Sequence, residues 1–219
     1  MRAALLARAL AGALAVSTLA GTRVALGQAA AGLDSATAAA IGPIIARARA
    51  ANIPTAPLYA KAREGQVQHA PVQRIEAAVR SLATRMEAAH AALAPNPSDQ
   101  ELSAAADAIK AGVPAETLRA MRKAGGDGSL AVPLGVLTQL IVRGVPVEKA
   151  AVQIVDLLQH GAVPNNFIAL DESVRRDILA GRRPDESLDL RLKGIMSNLP
   201  QPATADGAGL QSAGPKRPR

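Results

Sequence analysis

Gly112-Val113-Pro114, Gly144-Val145-Pro146, Gly161-Ala162-Val163-Pro164 and Gly181-Arg182-Arg183-Pro184 punctuate residues 112–181 of this 219-residue chain, and the first two are near copies 32 residues apart. A helix that ends on glycine in the left-handed conformation, folds the next apolar side chain back on its last turn and restarts with proline in its first turn is written this way. Each punctuation therefore reads as a helix-to-helix corner. Ala51-Asn52-Ile53-Pro54 is an earlier version in which Asn replaces Gly.

Between the corners the apolar residues recur at helical spacing. From Pro71 onward Val72, Ile75, Val79, Leu82, Met86, Ala89 and Leu93 alternate steps of three and four, which predicts one long helix with a continuous apolar face. Such a seam can oligomerise or pack within its own domain, and three heptads favour the second. Ala94-Pro95-Asn96-Pro97 breaks the helix. Ser98-Asp99-Gln100-Glu101 then has the form of a capping box opening a helix to Lys110 or Ala111. Pro133 leads the most apolar segment, Leu134, Val136, Leu137, Leu140, Ile141 and Val142, which should be central. Asp34 or Ser35 can cap a first helix expected to begin properly only at Pro43, and Gly65 is expected to close a short helix from Leu58. The fold class is all-α: eight or nine short helices stacked as irregular helix-turn-helix units, compact or semi-compact. The proline spacings scatter, unlike those of a regular solenoid.

Composition limits what the chain can do. There is no cysteine, which removes disulfides, thiol nucleophiles and iron–sulfur ligation. Aromatic residues are almost absent, with one Tyr, one Phe and no Trp, so the core must be aliphatic. Arg2 and Arg8 precede the apolar run 9–20 and small residues around Ala25-Leu26-Gly27, the pattern of a cleaved secretory signal over 1–27. The expected organisation continues with a loose lead-in over 28–40, one helical domain over 41–200 with a hinge-like break at 94–98, and a disordered basic tail over 201–219. The formal charge of +7 falls to +4 without the three arginines of 1–27, and to about +2 without the tail. Charge concentrated at the ends of an exported chain argues against a nucleic-acid partner.

Ile53-Pro54, Pro57-Leu58, Lys61-Ala62, Glu64-Gly65, Arg74-Ile75, Ala78-Val79 and Leu82 resemble a run found in secreted, helical bacterial proteins. That resemblance implies export and an all-helical fold, and implies no activity. The one departure is His69, where the pattern leads one to expect Gly.

No linear catalytic motif stands out. His69, His90 and His160 fall in separate segments without metal-ligand spacing, and Gly125-Gly126-Asp127-Gly128-Ser129 lacks the Lys-Ser/Thr of a phosphate loop and the carboxylates of a calcium loop. It reads as a flexible connector. Neither catalytic residues nor metal or cofactor ligands are assigned. The leading expectation is a non-catalytic periplasmic or secreted interaction or scaffolding protein with an envelope protein as partner. One alternative is a binder of anionic lipid or glycan through Arg182, Arg183, Lys216, Arg217 and Arg219. Another is a hydrolase-type enzyme whose site is assembled from remote carboxylates such as Glu64, Asp127, Asp156, Asp171 and Glu172.

Overall fold

The computed structural model describes residues 32–199; the signal-like segment 1–27 and the tail 201–219 lie outside them. Among the described residues the chain forms nine α-helices and no strand: α1 (Ser35–Ala50), α2 (Ala56–Val67), α3 (Val72–Leu93), α4 (Asp99–Lys110), α5 (Ala115–Gly125), α6 (Ala131–Val142), α7 (Val147–Gln159), α8 (Pro164–Leu179) and α9 (Pro184–Met196). Six of the connections share one geometry. Asn52, His69, Gly112, Gly144, Gly161 and Gly181 all have positive φ, between 53° and 99°. After each, the next N–H reaches back across the helix end: Val113 to the Ala108 carbonyl at 3.0 Å, Val145 to Leu140 at 3.0 Å, Ala162 to Leu157 at 3.0 Å, Arg182 to Asp177 at 3.0 Å, Ile53 to Ala48 at 2.9 Å and Ala70 to Gly65 at 2.9 Å. These are Schellman closures, which occupy carbonyls that a helix end would otherwise leave bare. Where the following residue is large and apolar it is buried: Ile53, Val113 and Val145 are at most 4 % exposed. His69 thus forms the same corner in spite of its side chain, so the substitution for Gly leaves the turn intact.

The longest helix organises one half of the molecule. α3 packs against α1 and α2, and also against α4 and α5, so its apolar seam is covered by its own chain. The helices on either side of the 94–98 break pack extensively on one another. Beyond α3 the helices fall into two rows, in which each helix meets the next but one: α4, α6 and α8 form the first, α5, α7 and α9 the second. The corners from first row to second are stacked in space. A side chain at Gly112 would lie 3.7 Å from Val147 Cγ2, and one at Gly144 would lie 3.6 Å from Pro184 Cγ. The apolar α6 sits inside this array, touching α4, α7 and α8. Tyr59, 8 % exposed, is buried in the α1–α3 half, and Phe167, 1 % exposed, in the α8 half.

Three local expectations change. The first helix starts at Ser35, well ahead of Pro43, because Asp34 caps it by accepting from Thr37 N–H at 2.8 Å and Thr37 Oγ1 at 2.9 Å. Pro43 then lies within α1 on the exposed side, where the carbonyl it leaves unbonded can meet water. Gly65 does not end α2, which runs on to Val67; it is small because Ile75 Cγ1 would come within 2.8 Å of a Cβ there. Pro71, Pro114 and Pro146 occupy the capping position immediately before their helices rather than the first helical turn.

Two alanine substitutions should move stability in opposite directions. Gly144→Ala forces a side chain into φ +98° and should cost roughly 1–2 kcal/mol. Gly135→Ala, within α6 and with open space around the new Cβ, should add about 0.5–1 kcal/mol. Denaturant unfolding followed by circular dichroism distinguishes the two signs.

Candidate functional site

Two features concentrate polar or apolar groups in a way that packing alone does not require. The first is built on the capping box of α4. Ser98 Oγ accepts from Glu101 N–H at 3.2 Å, and the Glu101 carboxylate accepts from Ser98 N–H at 2.8 Å and from the Ser98 hydroxyl at 2.9 Å. Its other oxygen accepts from Leu130 N–H at 2.9 Å and from Arg122 at 2.5 Å. Arg122 Nη1 also donates to the carbonyls of Gly126 and Gly128, both at 3.1 Å. The loop expected to be a flexible connector is therefore held at both ends. Gly126, at φ 54° and ψ −130°, supplies a backbone conformation that glycine adopts freely. Above this cluster lies a cleft of about 480 Å³, with Asn96, Ser98, Gln100, Asp127 and Ser129 at its walls.

Glu101 is only 5 % exposed. Burial pushes its carboxyl upward, but the Leu130 and Ser98 N–H groups, the Arg122 guanidinium and the Ser98 hydroxyl outweigh it and bring the pKa down to about 2. The group is thus ionised throughout the neutral range. With four donors on its two oxygens it fastens α4, α5 and the start of α6, and it has no proton to give at neutral pH.

The second feature is a groove of about 520 Å³ between α5 and α7, with Thr117, Ala120, Ala151, Val152 and Val155 along it and Glu116, Asp156 and Gln159 towards its ends. Val152 is 64 % exposed. Its walls are parallel. A side chain at Gly125, ending α5, would lie 3.6 Å from Leu158 at the end of α7. The amphipathic pattern of each helix is legible in the sequence, but their side-by-side placement, which makes the groove, is not.

The basic residues singled out in the sequence divide between the described region and the tail. Arg182 faces Asp177 at 4.0 Å, and Arg183 faces Asp185 at 3.2 Å and Glu186 at 3.7 Å. Asp177, 8 % exposed, is held more tightly by Arg191, with contacts of 2.6 and 2.7 Å. Its carboxyl lies below the usual range, first because of the Arg191 hydrogen bonds, which outweigh desolvation. Lys216, Arg217 and Arg219 lie outside the described residues.

The carboxylates considered for hydrolysis are spread over α2, the 125–129 loop, α7 and α8, and one of them joins two elements. Asp171 on α8 pairs with Arg143, which follows α6; Glu64 pairs with Lys61 at 2.8 Å along α2. His160, capping α7, donates from Nδ1 to the Asp156 carbonyl at 2.8 Å and lies 3.3 Å from its carboxylate. Among the described residues no three His, Asp or Glu side chains gather as a metal site, and no helix is long and apolar enough to cross a membrane.

Replacing Glu101 tests the first feature. Glu101→Gln should cost roughly 2–3 kcal/mol at neutral pH by discarding charged hydrogen bonds to buried donors. Because the folded pKa lies below the ordinary value of 4.5, the carboxylate's contribution is complete above that pH. It should fade as pH falls from there towards about 2, removing roughly 3 kcal/mol in all, a dependence that the Gln variant should lack. Urea unfolding across this range reads both effects.

No protein-family model, curated protein or solved structure matches the chain.

Proposed function

We propose that the chain is an exported, non-catalytic interaction module of the cell envelope that presents the face between α5 and α7 to a partner protein. The observation that carries this is the groove itself: small and apolar side chains form its length, and Val152 stands 64 % exposed in it. Exposed apolar surface rimmed by polar groups is the usual form of a protein contact. Elsewhere, charged pairs join neighbouring helices: Arg47 with Glu87 at 3.0 Å between α1 and α3, and Lys149 with Asp189 at 2.6 Å between α7 and α9. The charged start, apolar run and small residues of 1–27 support export. Binding of an anionic surface through the basic residues draws less support, since Arg182 and Arg183 already face carboxylates.

In the native cell, the mature chain should begin near residue 28 and fractionate with the periplasm. A photo-crosslinking residue in place of Val152 should capture a discrete envelope protein, and one in place of Glu172, exposed on α8, should not. An intact N-terminus in the cytoplasm, or equal capture from both positions, would overturn the proposal.

A further inference from the structure

The shape and charge of the α5–α7 groove select the kind of segment that fits it, given that the groove is the partner face. Its two walls are level at both ends. A side chain at Gly112, which leads into α5, would lie 3.7 Å from Val147 at the start of α7, and one at Gly125 would lie 3.6 Å from Leu158 where α7 closes. With the ends matched, Glu116 on one wall stands about two helical turns, or about 10 Å, before Asp156 on the other. The apolar stretch of Ala120, Ala151, Val152 and Val155 lies between these carboxylates.

Parallel helices with small facing residues leave a trough in which a third helix can settle at an interaxial distance of about 8–10 Å. An extended segment finds no sheet edge there, because each wall is a helix with its backbone bonds made internally. The charge is one-sided. Both charged residues lining the groove are acidic, and Glu148, exposed one turn before Val152 on the same side of α7, adds a third carboxylate. The chain as a whole is basic, so this negative strip is local. Arg119 lies 3.2 Å from Glu116 and His160 lies 3.3 Å from Asp156, each on the surface, where such pairs are weak and can be shared with an incoming cation. The same face of a second copy would set carboxylate against carboxylate.

We infer that the groove receives an amphipathic helix of a partner protein. Its apolar stripe lies along Ala120, Ala151, Val152 and Val155, and a Lys or Arg at each edge of the stripe, about two turns apart, meets Glu116 and Asp156.

The test maps what a photo-crosslinking residue at Val152 captures in the native cell, by sequencing the attached peptide. The expected adduct lies in a helical segment of another protein that carries this apolar stripe and its two flanking bases. Glu116→Lys with Asp156→Lys should reduce capture at least fivefold, and reversing the two bases of the captured segment should restore it. Glu116→Gln with Asp156→Asn, which perturbs the fold less, should reduce capture in the same direction, whereas Glu172→Lys on α8 should leave it unchanged. Capture of an acidic or extended segment, of a second copy or of the same chain, or capture that ignores these charge changes, would overturn the inference. If a discrete envelope protein is still captured in that case, the partner class alone is wrong. No capture at Val152 would remove the groove as the partner face, and the inference with it.

Discussion

Every helix of this stack must stop within a few residues of where its neighbour begins, and at six of the eight connections a left-handed residue is what makes that geometry available. A helix end exposes carbonyls, and burying them unbonded would cost more than the local packing returns. The back-reaching N–H of the following residue closes the end, and in the corners at Ile53, Val113 and Val145 that same residue drops its side chain into the core. Backbone satisfaction and hydrophobic burial are coupled in one three-residue unit. Because the turn geometry repeats, successive corners can lie on one another, as Gly144 does against Pro184. The alignment of the second row follows from that stacking.

The all-helical class and most helix starts were legible because corner chemistry is local: glycine, the residue after it and proline act within a single turn. The capping box at Ser98 was legible for the same reason, and half of the Glu101 cluster with it. The other half was not, since Arg122 and Leu130 come 21 and 29 residues later and only the packing of α4 against its neighbours brings them in. Gly65 shows the ambiguity in miniature. A glycine after Glu64 looks like a stop, yet it serves a close approach by Ile75 from another helix. Proline at position 43 misled in the opposite sense, because an exposed helix face tolerates a missing bond that a buried one would not.

The scatter of proline spacings hid the two-row order. Taken together the corners have no fixed period, but they belong to two alternating sets, one at each edge of the stack. Only the set that leads from the first row to the second is stacked in the way a repeated unit would be. The groove was invisible for a related reason: its two walls are separated in sequence by the whole of α6, and their apolar residues read as ordinary core faces.

The near absence of aromatic side chains gives the protein an uneven optical signature. Tyr59 is its single phenol, there is no indole, and that phenol is buried in the α1–α3 half. Tyrosine emission therefore watches one end of the stack, while far-ultraviolet ellipticity averages over all nine described helices. Coincident heating curves from the two signals would mean that α3 couples both halves into one cooperative unit; separated curves would mean that the rows beyond it melt on their own.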